Sequence, residues 1–345
     1  MNAVIKLFVS GRLCLFGEHS DWAGELGEHK GHCLVIGTDQ GLEAEVQEAN
    51  RFKVRLASQG ISLPWEANAL LDVAKDQSEF FRYCAGVAYQ MTKSPFIGGG
   101  IDLHITSMDL PLRKGVSSSA AVCILVAKAF NAVYQIQLFP HEIMNAAYLG
   151  ERLTGSQCGR MDQTCIYGKT PVLLTFQKSA DIRIEPVFPG GDIEMFFVDL
   201  AGEKDTTRIL SDLQLAYQSN IGIRRGLGIK NETIVREAYY ALSEGNAEWL
   251  GGLMTKAQEQ FGRLVAPASR EQLASPLLHR LLAFEPIQVH VFGGKGVGSQ
   301  GDGTAQFVAH SSADRDEALR KITIAFPKMK CFPLTIPKGG RRWNG

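Results

Sequence analysis

Short apolar runs punctuate the first half of the chain, and their spacing predicts strands over residues 4–9, 12–17, 42–48, 52–57 and 100–107. A turn at Pro111 then gives way to an apolar stretch of helical period, residues 118–134. A second helical pattern follows over 141–153 (HEIMNAAYLGERL), then a turn, GSQCGRMDQ (155–163), then a strand-like run, TPVLLTF. Past Pro186 the pattern changes to a strand over 193–200 and helical stretches at 206–216, 227–243 and 246–261 with charges on one face. The chain closes with a strand, IQVHVF (287–292), a Gly-rich turn (293–303), a strand, TAQFVAH, and a polar helix, SADRDEALRKITIAF. Strands and helices mix in both halves, which predicts an α/β or α+β fold and excludes an all-helical one.

With 345 residues the chain has room for one large domain or two ordinary ones, and the change near Pro186 favours two, residues 1–185 and 186–345. The apolar N-terminal stretch is broken by Ser10, Gly11 and Arg12 and lacks a small-residue cleavage pattern, so it reads as the first strand, not as a secretory signal. No apolar run is long enough to span a bilayer. Lys plus Arg equal Asp plus Glu at 36 each, which argues against a polyanion such as nucleic acid, or an anionic membrane, as partner. The seven cysteines are odd in number, scattered and never in CxxC spacing, a pattern that fits reduced thiols in a cytoplasm.

The candidate chemistry begins at PLRKGVSSSAA (111–121). Gly115 is free to take backbone angles closed to other residues, and Ser117, Ser118 and Ser119 supply hydroxyls and N–H groups where a helix begins. The unpaired N–H groups and the positive end of the helix dipole attract phosphate, while a Ser hydroxyl is able to reach a Mg²⁺ bridging two phosphates. A plain Ser-rich helix cap remains the alternative from local chemistry alone. A Walker loop is absent.

This segment resembles the central motif of the GHMP kinase superfamily (galactokinase, homoserine, mevalonate and phosphomevalonate kinases), of the form P-x-x-x-G-[LV]-[GS]-S-S-A-A. GRLCLFGEHSDWAG (11–24) resembles the first motif of galactokinases, and FGGKGVGSQGDG (292–303) resembles the third. The resemblance implies a two-domain fold with a ferredoxin-like C-terminal half, an active site in the cleft between domains, ATP as phosphoryl donor, Mg²⁺, a small-molecule sugar as acceptor, and a monomer or homodimer. It places ATP against Lys114, Gly115, Val116, Ser117, Ser118 and Ser119. GSQCGRMDQ resembles the CG-x-MDQ segment of galactokinases, in which the Asp lies beside the reacting hydroxyl and a metal-binding Glu comes earlier on the preceding helix. Gly159 and Asp162 match that segment, Glu151 matches the metal ligand, and Ser119 is its partner on the metal.

Arg12, Glu18, His19 and Asp21 lie within ten residues, a dense set of hydrogen-bonding groups suited to a hydroxyl-rich ligand. A carboxylate in reach of a hydroxyl accepts its proton as attack proceeds, and a nearby guanidinium offsets the developing charge. Asp162 is the candidate for the first role and Arg12 for the second. Tyr217 falls where galactokinases place a sugar-contacting Tyr, but its surroundings, VDLAGEKDTTRILSDL, and Lys295 and Asp302 in the Gly-rich run depart from the galactokinase pattern. The resemblance therefore implies transfer to a monosaccharide or polyol without fixing galactose. GVGSQG (296–301) also satisfies the dinucleotide fingerprint, but too little chain follows it for a nucleotide-binding sheet. A non-sugar alcohol as acceptor and a catalytically silent sugar sensor remain as alternatives.

Overall fold

The polar residues at positions 10 and 12 ought to split the first strand, yet they do not. In a computed structural model that describes residues 4–27, 29–110, 117–177 and 182–339, one strand, β1, runs from Ile5 to Phe16 in place of the two expected runs. It continues because both polar side chains have internal partners: Ser10 Oγ donates to the Cys165 carbonyl at 3.1 Å, and Arg12 pairs with Asp162. A buried polar group is tolerated once its hydrogen bonds are met.

After β1 come α1 (Ser20–Leu26), the 19-residue strand β2 (Gly31–Ala49), the hairpin of β3 (Arg51–Leu56) and β4 (Gln59–Pro64), helices α2 (Ala67–Lys75) and α3 (Arg82–Met91), and β5 (Gly100–Met108). Helices α4 (Ser118–Tyr134) and α5 (Pro140–Leu153) lead to a 3-10 turn (Asp162–Tyr167) and strands β6 (Val172–Phe176), β7 (Ile182–Pro186) and β8 (Ile193–Asp199). Four helices follow: α6 (Thr206–Ser219), α7 (Ile221–Leu227), α8 (Ile229–Glu244) and α9 (Ala247–Leu264). Next are α10 (Pro276–Leu282), α11 (Glu285–Gln288), β9 (Val291–Gly296), β10 (Thr304–Ala309), α12 (Ser312–Ala325) and β11 (Lys330–Ile336). The class is the mixed α/β one.

The described residues form two compact units that interleave along the chain. The first draws on residues 4–12, 37–110 and 117–168, the second on 13–27, 29–36, 169–177 and 182–339. In the first unit the strand order is β4-β3-β5-β2, with β3 and β5 parallel and the other pairs antiparallel. Helix α4 has Ala120, Ala121, Cys123, Ile124 and Phe130 fully buried, so it is a core element with little amphipathic character. Helices α3 and α5 cross closely, since a Cβ on Gly150 would lie 2.6 Å from the backbone of Val87; the crossing fixes α5 at the residue before Glu151.

In the second unit β11-β8-β10-β9 form an antiparallel sheet. Phe196, Val198, Phe307, Leu281, Ala318 and Ile322 form its core against α10 and α12. The expected strand over 287–292 is displaced: residues up to Gln288 are helical, and β9 runs from Val291 through Gly293, Gly294 and Gly296, into the start of the run expected to turn. Packing explains the shift, because a Cβ on Gly293 would collide with α9 at Gly251 and one on Gly294 with Phe307. The strand is glycine-rich so that a helix and a neighbouring strand can press on it.

Candidate active site

In the first unit, Arg12 reaches inward from β1 and is 3% exposed. Its Nη2 donates to the Asp162 carboxylate and to Ser117 Oγ. Asp162 opens the 3-10 turn and Ser117 is the N-cap residue of α4, so one guanidinium ties that turn to the start of α4. Ser117 holds a left-handed backbone conformation (φ 57°), which a non-glycine residue rarely adopts without support. Lys114, Gly115 and Val116 lie outside the described residues. Ser118 is the first residue of α4 and is half-buried, as is Gly159 in the coil before Asp162.

At the second residue of α4, Ser119 Oγ donates to Glu151 Oε1 at 2.8 Å, and Gln163 Nε2 donates to Oε2 at 3.1 Å. Burial, and next the negative charge of Asp162, push the Glu151 carboxyl up to about 7, against the opposing effect of these hydrogen bonds. Two carboxylates thus sit near enough to repel, one paired with Arg12 and the other held by neutral donors. Ser119 and Glu151 offer the hard oxygen donors that Mg²⁺ prefers, in the small number suited to an ion that keeps its water and phosphate ligands. The half-buried thiol of Cys158 is raised by burial and by both carboxylates.

The first-motif residues belong to the second unit. Glu18 forms a buried ion pair with Lys295, whose Nζ also donates to the Gly296 carbonyl at 2.8 Å. His19 stacks on Phe261 (centroids 5.9 Å) and its Nδ1 accepts from the Trp22 indole at 3.3 Å, which leaves the ring proton on Nε2 in the neutral form. Burial lowers its pKa to about 4; the Ser299 backbone opposes the shift, and Lys204 and Lys295 add to it. Trp22 in turn meets Tyr217 edge-on (5.5 Å), and the Tyr217 hydroxyl donates to the Ala23 carbonyl at 3.2 Å. Asp21 is buried in the first turn of α1.

Arg12, Asp162, Ser117, Ser119 and Glu151, each a separate candidate in the sequence, are brought by the fold into two adjoining hydrogen-bonded sets. Gln163 and Ser10, and Phe261 and Trp22 around His19, are not among the sequence's candidate site residues. Lys295 was noted only as a departure from a motif. Its signal was available: a lone charge inside an apolar, Gly-rich strand requires a buried partner.

Residues 80–169 match the model of the GHMP kinases N terminal domain. Among curated proteins, a galactokinase of Actinobacillus pleuropneumoniae is 27% identical over 196 residues, covering 56% of this chain and 49% of the relative, so this chain matches about half the length of that relative. The galactokinase of serotype 3 of the same species is 26% identical over 287 residues, 77% of this chain and 73% of the other. Among solved structures, the Lactococcus lactis galactokinase complexed with galactose has a TM-score of 0.73 at 18% identity, covering 98% of this chain and 95% of that one. The Methanococcus jannaschii mevalonate kinase also has a TM-score of 0.73, at 19% identity over 96% and 98% of the two chains. The fold is that of the GHMP kinases. In sequence the chain is similar to galactokinases at modest identity. Among the described residues, no helix is long and apolar enough to cross a membrane.

Proposed function

We propose that this protein is an ATP-dependent kinase that transfers the γ-phosphoryl group to a hydroxyl of a monosaccharide or sugar-like polyol. The observation that carries the reading is the Arg12–Asp162 ion pair, held by the guanidinium nitrogen that also binds Ser117 at the start of α4. Phosphoryl transfer asks for positioning and charge neutralisation more than for covalent chemistry, and this arrangement supplies both. Asp162 accepts the acceptor's hydroxyl proton, and Arg12 orients Asp162 and offsets the charge that develops on the transferred group. Ser117, Ser118 and Ser119, with Lys114, Gly115 and Val116 before them, hold the phosphates of ATP. Ser119 and Glu151 hold Mg²⁺, which when bound neutralises phosphate charge. Glu18, His19 and Asp21 bind the sugar, and Gly159 and Tyr217 are the further residues proposed to contact it. The domains proposed are residues 1–185 and 186–345, and the seven free cysteines support a reducing, cytoplasmic setting.

The likeness of fold is equal for galactokinase and mevalonate kinase, so it does not choose the acceptor. The curated relatives and the first motif favour a sugar. ADP release with MgATP, measured across monosaccharides, polyols, mevalonate and homoserine, tests the choice. The largest kcat/KM is expected on a monosaccharide or polyol; a larger value on mevalonate or homoserine would reassign the acceptor.

A further inference from the structure

Lys295 is 2% exposed and lies in β9, 277 residues from its partner Glu18 in sequence. Two charges removed from water at this depth are costly, and the pair contributes little stability that an apolar pair of similar volume would not. Such a pair has its main effect on geometry. Glu18 lies between Gly17 (φ 96°) and His19 (φ 66°), so the turn that ends β1 takes two left-handed conformations within three residues, one of them at a histidine. A left-handed non-glycine residue is strained and persists only where its surroundings over-determine it. Three anchors do so here. Ser20 Oγ donates to the carbonyls of Gly17 and His32, Cys33 Sγ donates to the Gly17 carbonyl, and Lys295 holds the Glu18 carboxylate. The first two tie down the backbone, and the third acts on the side chain between the two left-handed residues. Lys295 is itself fixed by the Gly296 carbonyl, and the Gly296 N–H donates to Gln258 of α9.

We propose that Lys295 is a positioning residue for the acceptor: by clamping Glu18 it sets the turn over residues 17–21 and so the placement of His19 and Asp21. This rests on the kinase reading only in so far as those residues meet the acceptor. It gives the Gly-rich third motif a role beyond close packing, and it places one reason for specificity at the residue where this motif departs from the galactokinase pattern.

Two variants and two readouts test it. In Lys295→Met the buried Glu18 loses its partner, and in the double variant E18Q/K295M no lone charge remains, so fold stability recovers. With the best acceptor of the panel, both variants are expected to raise the acceptor KM roughly ten- to a hundred-fold while the KM for ATP stays within about twofold. The His19 ring and Trp22 indole resonances, read by NMR without acceptor or nucleotide, are expected to shift in both variants. A double variant that regains parental acceptor KM and parental His19 resonances together with its stability would overturn the proposal, since a merely structural pair predicts that recovery. Resonances shifted in both variants of a parent protein that phosphorylates nothing in the panel would uphold the positioning role and reject the sugar-kinase reading instead.

Discussion

Arg12 and Asp162 stand 150 residues apart in sequence and share an ion pair in which the same guanidinium nitrogen also donates to Ser117. The pairing joins β1, the 3-10 turn and the start of α4 through one side chain. A Lys at this position keeps the charge, but its side chain ends one atom short of Nη2, so its ammonium does not reach both acceptors from the same place. Arg12→Lys is therefore expected to fold and to lose roughly 10²-fold in kcat, with steady-state ADP release as the check. A kcat within twofold of the parent would show that the shared contact is not used in catalysis.

Ser119 and Glu151 make a separate prediction. Ser119→Ala removes the hydroxyl bonded to Oε1 and one of the two proposed Mg²⁺ ligands. The half-saturating Mg²⁺ concentration for ADP release is expected to rise roughly tenfold, the equivalent of about 1.4 kcal/mol. An unchanged Mg²⁺ titration would remove Ser119 from the metal site.

The parts legible in sequence were those whose physics is local. Helix α4 emerged over the same residues as expected, because a long apolar helix after a Ser cluster has few other readings. The sequence breaks strand β1 into two pieces because the partners that satisfy Ser10 and Arg12 come from residues more than 100 positions away. The start of β2 was passed over for a related reason, since Gly37, Thr38 and Gly41 look like turn residues until their neighbours are known. Helices α2 and α3, and the strands β4, β7 and β11, carry weak patterns and were not read at all. The pairing of Glu18 with Lys295 is long-range in the same sense.

Two buried groups predict opposite pH dependences. Glu151 rises from an ordinary 4.5 to about 7, so the folded protein holds a proton there that the unfolded chain releases, and stability falls as pH rises through that window. His19 falls from 6.5 to about 4, so the unfolded chain binds the extra proton, and stability rises with pH over 4 to 6.5. Each contribution is on the order of 3 kcal/mol, and between pH 4.5 and 6.5 they oppose. Urea unfolding of Glu151→Gln is expected to show a stability that increases with pH relative to the parent, and His19→Asn one that decreases. Slopes of the same sign in the two variants would contradict these environments.

The Tyr217 hydroxyl is buried and bonded to the Ala23 carbonyl, next to the ring that holds His19. Tyr217→Phe is expected to cost about 1 kcal/mol in stability and to raise the acceptor KM by less than about threefold, because its ring still packs on Trp22. Equilibrium denaturation with parallel kinetics checks both halves, and an acceptor KM raised a hundredfold would give the hydroxyl a direct part in binding.

The most direct test of the whole account is turnover by Asp162→Ala, followed as ADP release with saturating MgATP and the best acceptor found. Loss of a positioned general base predicts a fall in kcat of roughly 10² to 10⁴, with the acceptor still bound. Near-normal turnover would contradict the assignment of Asp162 and with it the site built around Arg12.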